Sequence, residues 1–153
     1  MISKKTKYAL KALLHLARMH NTEPVLISEL AKSENIPKKF LEFILLSLRK
    51  GGILQSRIGK GGGYNLALPP SKISLGHVVR VLEGDMAPVQ CLSETNYAVC
   101  GECQDEATCG IRLVMVDVNS ALAKVLDGLS LADMVDRSDM ARQEQQNIVN
   151  YNI

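Results

Sequence analysis

Apolar residues between Lys4 and Met19 recur at three- and four-residue intervals: Ala9, Leu10, Leu13, Leu14 and Ala17. That spacing predicts a helix with a single apolar stripe. Asn21 to Pro24 break the pattern, and "LISELAKSEN" opens a second, short helix with Ser28 as its expected N-cap and Asn35 near its end. "IPKKFLEFILLSLRKGG" predicts a third. Pro37 suits its first turn, where a missing N–H costs nothing, and Phe40, Leu41, Ile44, Leu45 and Leu48 form its apolar face. Arg49 and Lys50 complement the dipole at its C-terminal end, and Gly51-Gly52 offer a left-handed residue to stop it. A short helix, a tight turn and a longer helix with lysines in its first turn match the helix-turn-helix pattern.

The period then changes. "ILQSRIGKGGGYNLAL" has two short apolar runs around a glycine-rich turn, a hairpin ended by Pro69-Pro70. Its glycines suggest a phosphate-cradling loop, but no Gly-Lys-Ser/Thr follows and the turn leads into a strand. A basic hairpin directly after a helix-turn-helix is better read as a wing. Ser74 is the expected cap of a further helix, with Leu75, Val78, Val79 and Leu82 on one face. A long helix follows, with Leu113, Val114, Val118, Ala121, Leu122, Val125 and Leu126 assigned to one stripe. So wide a stripe near the chain end reads as a subunit interface, with packing on the chain's own core as the alternative. "SLADMVDR" adds a short helix with Ser130 as cap and Asp133 at the capping-box position.

The expected architecture is mainly α with a small β-hairpin: a winged helix-turn-helix domain plus a long C-terminal dimerisation helix. We divide it into a DNA-binding domain over residues 1–84 and a cysteine-rich sensor loop over 85–110. The dimerisation helix and a short following helix take 111–137, and a flexible polar tail takes 138–153.

Composition adds three points. At 153 residues the chain suits one domain with an extension, and no apolar run approaches the roughly 20 residues that span a bilayer. The basic, then partly apolar start looks like a secretory signal, but Lys11, His15 and Arg18 interrupt it; a cytoplasmic chain with reduced thiols is expected. The net charge of +2 hides a division, since residues 1–90 carry 14 Lys/Arg against 6 Asp/Glu and residues 91–153 carry 4 against 10. One half is built to meet a polyanion.

Double-stranded DNA is the partner that fits this half, with affinity drawn from lysines and arginines on phosphates. Candidate contacts are Lys38 and Lys39 on the third helix and Arg57, Lys60, Gly61, Gly62 and Tyr64 on the wing; Lys4, Lys5 and Lys7 are further backbone candidates. Arg57 suits a narrow A·T-rich minor groove. Glu42 repels phosphate, yet a carboxylate there can accept a hydrogen bond from cytosine N4; the alternative is an acid paired with the helix dipole. No nucleophile with a base, no paired carboxylates and no nucleotide fingerprint point to an enzyme, and His15, His20 and His77 have no partner spacing.

All four cysteines fall in "CLSETNYAVCGECQDEATC", spaced Cys91-x8-Cys100-x2-Cys103-x5-Cys109. Disulfides do not suit a reducing compartment. Zinc is open, although only one close Cys doublet is present where structural sites usually have two. The polar setting argues against inert buried thiols. Iron–sulfur ligation and metal-free redox sensing are the other readings.

With these elements in order, the chain resembles the Rrf2 family of bacterial transcription regulators over about residues 1–135. The matching stretches are "KYALKALLHLA", "IPKKFLEFILLSLRKGGIL", "SRIGKGGGYNLAL", "ISLGHVVRVLEG" and "LSLADMV". The resemblance implies a homodimer paired through the long helix and binding a near-palindromic operator; of the two signs of regulation we expect a repressor. It places Glu42 where some members use an acid for base selection. It also implies an iron–sulfur cluster (2Fe–2S or 4Fe–4S) bound by three cysteines and answering to redox state, iron or nitric oxide. Cys103-x5-Cys109 reproduces the family's last gap; the first gap differs, and there is one cysteine too many. Either Cys91, Cys103 and Cys109 ligate and Cys100 is spare, or Cys100 replaces one, or all four serve. Arg112 stands where some members have a histidine as fourth ligand. The same fold without a cluster, sensing a small molecule, a partner protein or thiol oxidation, is one alternative; a zinc-stabilised protein- or RNA-interaction module is another.

Overall fold

The computed structural model describes residues 2–151, with side chains through residue 149. Met1 and residues 152–153, which belong to the first and last expected segments, lie outside the described residues. The helices are α1 (Lys4–Arg18), α2 (Ile27–Glu34), α3 (Lys38–Lys50), α4 (Leu75–Glu83), α5 (Gly110–Asp127) and α6 (Leu131–Tyr151). Between α3 and α4 lies a hairpin of β1 (Leu54–Arg57) and β2 (Gly63–Leu66).

The core sits where α1, α2, α3, α4, the hairpin and the first turn of α6 meet; Leu13, Leu30, Leu41, Ile44, Leu45, Leu48, Ile53, Val78 and Leu131 are buried there. The apolar spacings of α1 and α3 supply most of these side chains. Phe40 is a correction: it stands at the rim of α3, exposed, its ring edge-on to Tyr8 with centroids 5.8 Å apart.

Two predicted caps hold. Ser74 Oγ accepts from His77 N (3.1 Å). At α6, Ser130 Oγ accepts from Asp133 N (3.1 Å) while the Asp133 carboxylate accepts from Ser130 N (2.7 Å), a reciprocal capping box. Ser28 does not cap α2. The helix begins at Ile27 with Leu26 at the cap and no side chain on the free amides, because backbone pairing of Val25 with Tyr64 (2.9 Å in both directions) sets where the chain turns. Pro37 stands one residue earlier than expected, at the N-cap of α3. Of the two glycines that end α3 only Gly52 is left-handed, at φ 74°. Gly51 is needed for space, since a Cβ there would lie 2.6 Å from the Val81 side chain.

The expected short helix and flexible tail are the clearest corrections. One helix runs from Leu131 to Tyr151. The capping box starts it, buried Leu131 anchors it, and Arg18 of α1 donates to Asp139 (2.6 Å) and Ser138 (3.0 Å) further along. Beyond Met140, straight-chain and alanine residues continue a helix already nucleated. No amphipathic stripe is required for that, and the sequence shows none.

α5 packs against α4, yet none of its residues is fully buried. Ile111, Val114, Val118, Ala121, Leu122 and Val125 make a continuous exposed apolar face, while Arg112, Met115, Asn119, Ala123 and Leu126 turn inward and are half-buried. At about 100° per residue, Leu113 falls away from the exposed stripe to which the sequence pattern assigned it, and Leu126 lies on the inward side.

Candidate functional site

α3 buries Leu41, Ile44, Leu45 and Leu48, and this fixes what it shows to solvent. Lys39, Phe43, Leu46 and Lys50 point outward, with Lys38, Glu42 and Arg49 on one flank, all exposed. Arg49 Nη1 donates to Ser56 Oγ (3.0 Å), joining the end of α3 to β1. α2 and α3 with the turn Asn35–Pro37 form the helix-turn-helix; Asn35 takes the left-handed conformation at φ 52°.

The wing continues this face. β1 and β2 pair from Leu54↔Leu66 to Arg57↔Gly63. Arg57 is exposed, 4.0 Å from Glu23 Oε2, and Lys60 and Gly61 are exposed at the tip. Gly62 is buried and shapes the tip: its N–H donates to Gly59 O (2.9 Å), and a Cβ would lie 2.4 Å from the Arg57 carbonyl oxygen. Tyr64 is half-buried against the core. Ile58 at the tip is 95% exposed and escapes the sequence reading. Of the α1 lysines, Lys4 and Lys7 are exposed, as is Lys11, and Lys5 is half-buried. The Lys4 ammonium lies 5.5 Å from the centre of the Tyr8 ring, and Lys5 donates to the Leu82 carbonyl.

The cysteine loop leaves α4 at Gly84 and is organised by a residue that sequence reasoning passes over. Asp85 Oδ2 accepts from Ser93 Oγ (2.5 Å), Thr95 N (3.0 Å) and Thr95 Oγ1 (2.9 Å), and Oδ1 accepts from Ala87 N (3.2 Å). The Ser93 hydroxyl and the other donors hold its carboxyl far below the usual carboxylate range. An Asp two residues before an amide and followed by Ser and Thr was the available signal. Tyr97 donates to Glu106 (2.9 Å) across the loop.

Within this frame Cys91, Cys100, Cys103 and Cys109 line one cavity of about 290 Å³, together with Val89, Gln90, Ala98, Val99, Ile111 and Arg112. Cys109 is the N-cap of α5. The amides of Arg112 and Ile111, with the Cys103 thiol and the Arg112 charge, stabilise its thiolate and lower its pKa. Cys103 Sγ donates to Cys109 Sγ (3.5 Å), and that bond with its neighbour Cys100 pushes the Cys103 thiol up to about 12.

Among the described residues Arg112 Nε is buried without a hydrogen-bond partner, and it meets Glu106 Oε2 only as a loose ion pair at 4.0 Å. Four thiols and an unpartnered cationic donor fit an anionic, sulfur-rich group. Among the described residues no three His, Cys, Asp or Glu side chains are gathered as for one metal ion.

α5 is tied to the winged domain. Arg80 of α4 clasps Asp127 of α5 through two bonds (2.6 and 2.8 Å), and Gly76 leaves room for that carboxylate, since a Cβ there would sit 1.9 Å from it. His15 Nδ1 lies 2.9 Å from Glu34 Oε1 and His77 Nε2 lies 3.0 Å from Gly51 O, so both are structural.

Helix-turn-helix, third helix outward and basic hairpin beside it define a winged helix-turn-helix protein. The Rrf2 family model, described as "Iron-dependent Transcriptional regulator", matches residues 2–137. An rrf2-like HTH-type transcriptional regulator of Rhodobacter capsulatus is 44% identical over 138 residues, covering 88% of this chain and 92% of its own. Among solved structures, CymR of B. subtilis, titled its global cysteine regulator, superposes with a TM-score of 0.74 at 30% identity. That match covers 90% of this chain and 97% of CymR. IscR of T. potens superposes with a TM-score of 0.72 at 28% identity, covering 92% and 90%. The chain belongs to the Rrf2 family and is a helix-turn-helix transcriptional regulator, not an enzyme.

Proposed function

We propose that this protein is a homodimeric, sequence-specific repressor whose cysteine loop holds an iron–sulfur cluster that sets its affinity for DNA. α3 enters the major groove of each half of a near-palindromic operator, and the wing follows the adjoining backbone into the minor groove. Lys38, Lys39 and Lys60 neutralise phosphates, Arg57 reaches the minor groove, and Glu42 accepts from a cytosine amino group. The exposed amide of Gly61 meets the backbone at a turn that Gly62 shapes and Tyr64 seats on the core. Such a protein works in the cytoplasm, where its thiols stay reduced.

The observation that carries the sensing half is the cavity lined by four cysteines and by Arg112, whose Nε has no hydrogen-bond partner among the described residues, between the cysteine loop and the first turn of α5. Cys91, Cys100, Cys103 and Cys109 supply the thiolates, and Arg112 supplies positive charge and a donor. When bound, a cluster supplies a centre whose charge and integrity answer to oxidants, iron supply or nitric oxide. The chain's own part is to convert loop order into the setting of α5. Cys109 begins that helix, and Asp127 at its end is fixed to Arg80 of the DNA-facing domain. Order in the loop thereby sets the angle between two recognition helices.

A second reading rests on the Cys103–Cys109 pair. A thiolate-prone Cys109 can take an oxygen from a peroxide, leaving water and a sulfenic acid. The Cys103 thiol then displaces that oxygen as a second water to form a disulfide, the peroxide having accepted the two electrons.

The experiment is anaerobic purification followed by visible absorption, iron, sulfide and zinc analysis, and operator binding of the holo, oxidised and metal-free forms. Iron and sulfide with a broad visible band, and affinities that differ between forms, are expected. Equal affinity in all three forms sinks the sensing mechanism. A colourless protein whose binding changes only with peroxide supports the thiol pair instead.

A further inference from the structure

Phe43 sits at the outward centre of α3, 58% exposed, on the side opposite buried Leu41, Leu45 and Leu48. Lys39 lies one turn before it and Lys50 two turns beyond it on the same outward face, and exposed Leu46 is beside it. A large aromatic ring left in water is unfavourable for the free protein, and a helix that meets only phosphates has no use for it. The patch asks for an occupant that is apolar at its middle and anionic around its edges. A DNA duplex presents that pattern in its major groove, with the C5 methyl of thymine on the groove floor and phosphates along both rims.

We infer that Phe43 is a specificity-determining residue that packs on the C5 methyl of a thymine in each operator half-site, beside the base pair that Glu42 addresses. The inference rests on the reading of α3 as the recognition helix. It divides the labour on that helix: Glu42 selects by accepting a hydrogen bond, Phe43 by apolar contact, and the lysines supply affinity without sequence preference. 5-Methylcytosine carries the same methyl group, and synthetic unmethylated DNA restricts the source to thymine.

The test begins with selection of duplexes by the full-length protein from an unmethylated random-sequence pool. Each thymine of the selected site is then replaced singly by uracil, which removes only the methyl. One symmetry-related thymine pair is expected to matter, with affinity falling about 4-fold per substituted half-site and about 15-fold when both are changed. Phe43→Ala should bind thymine and uracil duplexes alike, with an unchanged salt slope and unchanged helicity, and Phe43→Leu should retain part of the preference. Selective binding with no response to uracil, a response that persists in Phe43→Ala, or a consensus without thymine overturns the role of Phe43 and leaves α3 as the reading helix. A pool that yields no enriched sequence overturns both.

Discussion

At the scale of single residues, the proposed DNA face pairs groups that would attract any duplex with groups that would discriminate. On the proposed reading Glu42 belongs to the second kind: a carboxylate on a face that otherwise carries Lys38, Lys39, Arg49 and Lys50 repels every phosphate it approaches. It is tolerable only where a base edge returns a hydrogen bond, and a well-placed pair of that kind discriminates by about 1–3 kcal/mol. Removing it should therefore help binding to wrong sequences more than it harms binding to the right one. Glu42→Ala is expected to hold or raise affinity for non-operator DNA and to shrink the operator preference by about 10-fold or more, read by titrating both duplexes at one salt concentration. Equal loss on both would make Glu42 a structural residue of α3. Asp85 is the contrasting case, a carboxylate whose four hydrogen bonds are all spent on shaping its own loop.

At the scale of elements, legibility follows periodicity. α1, α3 and α4 are readable because their buried positions repeat at helical spacing, and α5 because its stripe is broad; Ser74 and the Ser130–Asp133 box mark two starts by local chemistry. What is missed depends on distant partners. The start of α2 is set by pairing of Val25 with Tyr64, nearly forty residues on, and no local signal at Ser28 reports it. The far half of α6 is invisible because a helix continued from a fixed nucleus needs no apolar face. Phe40 is misread by the opposite habit, since apolar residues on a helix are read as core until their angle is compared with that of their neighbours, and Phe43, off that face, is given no role at all. The four cysteines are legible as a group of thiols, but their sharing of one cavity with Arg112 is not, because the loop that folds them together is held by Asp85 and Tyr97 and not by any repeat. The wing depends on glycine in a way the sequence only hints at. Gly63 has φ 152°, and a Cβ there would lie 2.4 Å from the Val25 carbonyl oxygen; Gly59 has φ 96° but open space around it. Gly59→Ala is expected to cost about 1–2 kcal/mol from backbone strain alone and Gly63→Ala about 3 kcal/mol or more, since a backbone clash is added to the strain, measured by denaturant unfolding. The reverse order would show that the bridge to Val25 is not what seats the wing.

At the scale of the molecule, charge and apolar surface are separated along the chain. The basic half carries the proposed DNA face, and the acidic half carries the cysteine loop and an α5 whose apolar side is left exposed among the described residues. Val114 and Val118 at its centre are 58% and 45% exposed. A self-complementary pairing of two such helices buries that face and sets two wings and two α3 helices about one axis, which is the symmetry a near-palindrome requires. Val118→Asp tests the pairing cleanly. The side chain lies outside the protomer's core, so helicity and the thermal transition of the winged domain should survive, whereas two carboxylates forced together in an apolar seam should dissociate the dimer. Sedimentation is expected to show a monomer. Operator binding should weaken sharply, because the second half-site loses the effective concentration that dimerisation provides. The slope of log affinity against log salt should fall to about half, since each complex then neutralises the phosphates of one half-site. A monomer with an undiminished slope would mean that one protomer spans the whole operator. An intact dimer would place the interface elsewhere and return the stripe of α5 to a partner of another kind.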